Sequence, residues 1–330
     1  MPKIVRFHEL GGPEVLKIDD LPSREPSGGE VRLRVQAIGL NRAESMFFHG
    51  RYLEAPQLPA RLGYEAAAVV DAVGPGVDKS WLGKQVSTIP SFSMNAYGVF
   101  GEEAITPVAA LGEYPARLSA AEGAAIWMQY LTAYGALIEF GRLKKGEFVL
   151  ITAASSSVGI AAIEIAKAEG AITIAATRTS AKKNELVGIG ADHVIPTEEE
   201  DLPARVKEIT GGRGARLIFD PIAGPFLQKL AEAAATHGTI FEYGALSAQP
   251  TPFPLFEALG KWLTIRGYTL IEITTVPQKL EAAKKYVYDR LEDGRFRPKL
   301  ARTFPFAQTV DAYRYLESNA QVGKIVVTVP

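Results

Sequence analysis

The residues whose types and spacing promise chemistry are the six of Ala154-Ser155-Ser156-Ser157-Val158-Gly159. They follow a β-rich apolar run, Phe148-Val149-Leu150-Ile151, and lead into Ile160, Ile163 and Ala166 at helical spacing, with Gly170 as the stop. A second apolar run, 171–176, comes next. Strand, tight turn, helix, strand is the order of a βαβ unit with parallel strands. The N-terminus of such a helix offers unpaired N–H groups and a partial positive charge, so it takes a diphosphate when nothing bulky blocks the approach. The dinucleotide fingerprint G-x-G-x-x-G falls here on Ala154, Ser156 and Gly159. Two of its three glycines are replaced, but by residues that are still small, and Ser155, Ser156 and Ser157 add hydroxyl donors. Taken alone, the stretch also fits an ordinary βα turn without a ligand.

The end of the second strand selects among dinucleotides. An NAD site places Asp or Glu there, about 20 residues after the glycine turn, to bond the ribose 2′-OH. This chain has Thr177-Arg178-Thr179-Ser180, then Lys182 and Lys183, and no carboxylate. A guanidinium forks onto a 2′-phosphate and a lysine adds a point charge, so Arg178 and Lys182 point to NADPH.

These residues need a frame. The chain has 330 residues, more than one average domain holds, and its 47% hydrophobic and 22% charged content is that of a globular protein. A net charge of -1, without a basic block, offers nothing to nucleic acid or an anionic membrane surface. No cysteine is present, which excludes disulfides and thiolate metal sites. The first residues lack a signal-peptide core and no apolar run is long enough to span a membrane, so the expected location is cytoplasmic.

Residues 1 to about 115 read as short strands set off by Gly and Pro, such as 3–7, 30–37 and 66–73, in a barrel-like β domain. Ser119-Ala120-Ala121-Glu122 has capping-box spacing and predicts one helix through Trp127, Thr132 and Tyr134 to Phe140. Beyond Lys182, the α/β alternation continues through strands at 193–195, 217–220 and 239–243. It predicts a doubly wound parallel sheet, with Tyr243, Gly244, Ala245 and Leu246 at a ligand-facing strand end. From about Arg266 the composition returns to that of the first segment. The expected domains are therefore 1–125, 126–265 and a return to the first domain over 266–330. Residues 262–268 are a candidate edge strand, and with it a homodimer is expected.

Seven short passages in order, GGPEVL (11–16), GLN (39–41), LGYEAAAVV (62–70), LTAY (131–134), AASSSVG (153–159), GAD (190–192) and GKIVV (323–327), resemble the medium-chain dehydrogenase/reductase superfamily, in particular its zinc-independent quinone oxidoreductase branch. The resemblance implies a GroES-like β-rich domain, a Rossmann domain inserted after it, and a pocket in the cleft between them. It implies NADPH-dependent hydride transfer to a small-molecule substrate, a quinone or an α,β-unsaturated carbonyl. An alcohol or carbonyl substrate, or a non-catalytic NADPH-binding protein, are the alternatives that relatives leave open.

Zinc-dependent members hold their metal with Cys, His and Cys; the matching positions here are Asn41, Tyr64 and Met128, a poor ligand set, and no metal is expected. Without a Lewis acid, hydrogen-bond donors must stabilise the substrate oxygen that gains charge. Asn41 and Tyr52 match residues that the family places at substrate, Tyr64 has a phenol able to donate, and Thr132 matches a residue near the nicotinamide ribose. Asn41 is also a helix-capping type, and Tyr52 and Tyr64 also fit as core aromatics.

Overall fold

The computed structural model describes residues 1–330 and divides into two compact units. The first holds Met1–Met128, Lys284–Glu292 and Pro298–Pro330; the second holds Gln129–Ala283 and Asp293–Arg297. The chain thus leaves the first unit close to the expected boundary at 125/126. It returns at Lys284 rather than 266, inside the helix Pro277–Glu292.

In the first unit the strand Glu30–Gly39 is the axis. Its odd positions Val31, Leu33 and Val35 are buried while Arg34 is exposed, the alternation that a half-covered sheet imposes. It pairs antiparallel with Glu65–Val73, Glu103–Pro107 and Lys324–Thr328. The last of these brings the far end of the chain into this sheet, with Val327 opposite Ile38. A separate three-stranded sheet joins Leu16–Asp20, Lys3–Phe7 and Ala60–Arg61.

In the second unit six parallel strands lie in the spatial order His193–Pro196, Ile172–Thr177, Phe148–Ile151, Ala215–Asp220, Ala234–Glu242 and Thr264–Gly267. Numbered along the chain that is 3-2-1-4-5-6, the dinucleotide-binding order, whose switch point lies between Phe148–Ile151 and Ala215–Asp220. Strands buried on both faces require continuous apolar runs, and Leu150, Ile174, Ile218 and Ile240 form the core with Leu227 and Leu230. Phe296 re-enters this unit by stacking on Tyr130, with ring centroids 4.7 Å apart.

One element differs from expectation. The helix predicted from Ser119 through Phe140 is two helices, Ala120–Gly123 and Trp127–Tyr134, followed by a wider π turn, Gly135–Phe140. Ser119 and Glu122 do form the reciprocal cap, but a second helix start intervenes. There the buried Glu65 carboxylate accepts the Ile126 and Met128 N–H groups at 2.9 and 3.2 Å, doing the work of an N-cap from 61 residues away.

Candidate active site

The serine turn is built by small residues, and the three positions that the glycine fingerprint marks, Ala154, Ser156 and Gly159, each have a distinct structural part in it. Ala153, just before it, adopts the left-handed region at φ 44°. Ala154 is fully buried and its N–H is bonded to Ala176 on the neighbouring strand. Gly159 is the position that tolerates nothing larger, since a Cβ there would lie 2.7 Å from the Ala154 Cα and carbonyl oxygen. Ser156 is the N-cap of the helix Ser157–Ala168, its hydroxyl accepting the Gly159 N–H at 3.0 Å. Ser156 therefore finishes the helix start, and Ser155 faces Lys182, whose Nζ donates to its hydroxyl at 3.1 Å.

Lys182 is half-buried, and that burial, with Arg178 nearby, lowers its pKa. Arg178 is exposed directly after the strand Ile172–Thr177 and has no carboxylate partner. Glu199, from the neighbouring loop, is engaged by Ser180, accepting its N–H and hydroxyl. A helix N-terminus, a lysine and an open guanidinium thus surround one corner, an arrangement that favours phosphate over neutral groups.

Beyond the adjacent strands, Tyr243 stacks on Phe219 with centroids 4.0 Å apart, and its buried phenol faces Ser156 without a well-formed hydrogen bond. Gly244, Ala245 and Leu246 are exposed. Their backbone hangs on the preceding turn, with Tyr243 N–H on the Asp220 carbonyl and Leu246 N–H on that of Pro221, each at 2.9 Å. Thr132 is buried within the helix Trp127–Tyr134.

In the first unit the structure corrects the reading of Asn41. Its Oδ1 accepts Lys324 Nζ at 2.7 Å, and because an ammonium only donates, this fixes the amide orientation. Both Nδ2 hydrogens are then occupied, by the Gly39 carbonyl at 3.0 Å and Glu44 Oε1 at 3.2 Å. No donor remains for a substrate oxygen, so Asn41 is a framework residue at the start of the helix Arg42–Phe48. Lys324, 1% exposed, also bonds Glu65 Oε2 at 2.6 Å. Glu44, fully buried with its pKa raised by desolvation, accepts the Asn41 and Tyr64 N–H groups and the Tyr313 hydroxyl. A single buried network therefore ties GLN, GYE and GKIVV together, three passages that looked independent in the sequence.

The two tyrosines form a second cluster. Tyr52 and Tyr64 have ring centroids 6.3 Å apart and pack with Phe47 and Phe92. The two phenols act on each other electrostatically, Tyr64 being almost fully buried and Tyr52 the more exposed of the two. Desolvation raises both pKa values, most strongly for Tyr64, and keeps them neutral donors throughout the physiological range.

Sequence reasoning passed over two carboxylates, Asp220 and Glu242, which end neighbouring strands and lie opposite each other in register. Their signal was an acidic residue closing each of two apolar runs, LIFD and IFE. It also passed over Lys324, visible only as part of a short match.

Comparison with known proteins fits this geometry. Residues 27–134 match the alcohol dehydrogenase GroES-like domain and residues 157–285 match the domain described as zinc-binding dehydrogenase. Quinone oxidoreductase 1 of Escherichia coli (strain K12) is 30% identical over 325 residues, covering 97% of each chain. The 2-haloacrylate reductase of a Burkholderia species is 29% identical over 333 residues, again 97% of each. The crystal structure of Escherichia coli quinone oxidoreductase complexed with NADPH superposes with a TM-score of 0.91 at 29% identity, covering 99% of both chains. The chain belongs to the medium-chain dehydrogenase/reductase superfamily, in its quinone-oxidoreductase-like branch, and is an oxidoreductase with a GroES-like and a Rossmann domain.

Proposed function

We propose that this chain is an NADPH-dependent reductase that delivers hydride to a quinone or an α,β-unsaturated carbonyl without a metal ion at the reacting oxygen. The observation that carries the cofactor reading is the cationic corner of Ser155, Arg178 and Lys182 beside a capped helix N-terminus. The residues fit the group. The cradle at Gly159 has no room for a Cβ, the turn side chains are small, and no carboxylate is bonded to Arg178 that would repel a 2′-phosphate. NADPH is also what the similar Escherichia coli enzyme holds.

When bound, NADPH supplies the hydride. The chain's own residues do the rest. The N–H groups of Ser157 and Val158 at the helix start would take the diphosphate, with Ala154, Ser155 and Ser156 shaping the approach and Gly159, whose own N–H is capped by Ser156, leaving room for it. Arg178 would fork onto the 2′-phosphate while Lys182 would add charge. Tyr243, Gly244, Ala245 and Leu246 would flank the carboxamide, and Thr132 the nicotinamide ribose. Tyr52 and Tyr64, neutral phenols packed ring to ring, would supply the donor to the oxygen that gains negative charge, and the final proton would come from this pair or from water.

A metal-free reaction is supported by chemistry at the matching positions. Asn41 is held by Lys324, Tyr64 by its neighbours, and no three His, Asp or Glu side chains converge as ligands. The test is NADPH oxidation by chelator-treated protein with a panel of quinones, enones and 2-haloacrylates. Turnover with at least one acceptor, unchanged by chelator, is expected. Protein that binds NADPH but turns over none of them overturns the quinone and enone reading.

The same reading includes a homodimer. Thr264–Gly267 is an open sheet edge, and next to it Phe253, Leu255, Phe256, Leu259 and Trp262 are 51–83% exposed. An unpaired edge beside an apolar patch is self-complementary about a twofold axis, which makes a second copy the fitting occupant.

A further inference from the structure

Asp220 and Glu242 close adjacent parallel strands at the edge of the sheet where a dinucleotide lies. Asp220 is fully buried. One oxygen takes the Thr152 hydroxyl, and the other takes the N–H groups of Ile222 and Ala223 at 3.0 and 2.7 Å. Those bonds shape the turn 221–224, where Ala223 and Gly224 take positive φ. The turn in turn holds the following segment, through Pro221 and Ile222 carbonyls that accept the Leu246 and Ser247 N–H groups at 2.9 Å each. Both Glu242 oxygens are shielded from water without a well-formed hydrogen bond, and the group they face is the Asp220 carboxyl.

No cation relieves this pair. Tyr243, on the same strand, is neutral. Arg266, the charge on the next strand, lies in register with Phe241, over that ring, and is paired with Glu272. Side chains alternate along a strand, so it stands on the opposite face from Glu242. The turn 221–225 carries no charged residue.

We infer that Asp220 and Glu242 are a positioning pair that shares one proton, and that this proton couples the seating of residues 243–247 to dinucleotide binding. The inference rests on the cofactor reading above. Two carboxylates so close cannot both ionise cheaply, and burial with Asp220 beside it pushes Glu242 up to about 9. The sign follows. Below that pH the pair carries one charge and the turn keeps its bonds. Above it the proton goes to bulk water, the two carboxylates repel, the turn shifts, and affinity for the anionic dinucleotide falls. Linkage to one proton limits that fall to about tenfold per pH unit.

The experiment measures NADPH dissociation by fluorescence from pH 7.5 to 10, above the ionisation of the 2′-phosphate, in the wild type and in Glu242→Gln. The wild type is expected to weaken steeply above pH 9, and the variant to lose that component while keeping whatever slope Lys182 contributes. Equal slopes in both overturn the inference and leave the cofactor reading standing. Failure to bind NADPH at pH 7.5 overturns the cofactor reading instead. Infrared titration of the ligand-free wild type supplies an arm independent of binding and of the variant's folding. A protonated carboxyl band that persists above pH 7 and disappears near 9 is expected, and its absence at pH 7.5 overturns the shared proton.

Discussion

At the scale of single residues, charge and reach decide most. Arg178 is open to a ligand and unpaired with any acid, so its replacement by Ala removes charge-assisted hydrogen bonds worth about 1.5–3 kcal/mol from phosphate recognition alone. The Kd for NADPH is expected to rise by roughly 10- to 100-fold, with that for NADH within about twofold, both by fluorescence titration. Equal losses for both would show that Arg178 does not read the 2′-phosphate. The position of this residue was legible in the sequence because it depends on local order: a guanidinium after a strand, after a small turn. Asn41 was not. Its type and its motif fit a donor beside substrate, but its amide is fixed by Lys324, 283 positions away, and only the fold shows that partner. The same holds for Tyr64, whose packing against the ring of Tyr52 spacing does not reveal.

At the scale of elements, close approach replaces charge. Gly39 ends the central strand of the first unit where a Cβ would lie 1.9 Å from the Ala124 carbonyl oxygen and 2.7 Å from Lys324 Cε. The carbonyl belongs to the junction between the two helices that Glu65 caps, and backbone yields little. Gly39→Ala is expected to lower stability by about 1–3 kcal/mol, read as a lower denaturant midpoint with an unchanged slope. A midpoint equal to the wild type would show that the junction moves freely. The parallel strands were legible because burial on both faces writes itself as continuous apolar runs. The broken helix at 123–127 was not, because residues 120–140 have helical composition throughout and the interruption comes from a carboxylate on another strand.

At the scale of the whole molecule, surface and connectivity take over. Phe256, 83% exposed, is central to the apolar patch beside the open strand. Phe256→Glu is expected to convert a dimer to a monomer, seen as a halved mass in light scattering, while thermal stability of the isolated chain stays close to that of the wild type. A wild type that is already monomeric at micromolar concentration would sink the dimer. Two domains and a returning tail were legible from the change in composition. The second unit extends to Ala283, where the helix Pro277–Glu292 runs across the division with no break in its pattern.

The pairing of Lys324–Thr328 with Glu30–Gly39 has a consequence for how the protein is made. As the polypeptide emerges from the ribosome, the first sheet is left waiting for a strand translated almost three hundred codons later, and Glu65 waits with it for its ammonium. The nucleotide-binding unit, by contrast, has all six strands once residue 267 is out. In synthesis the sheet of the middle of the chain is thus supplied in full before that of the beginning, which the last strand completes.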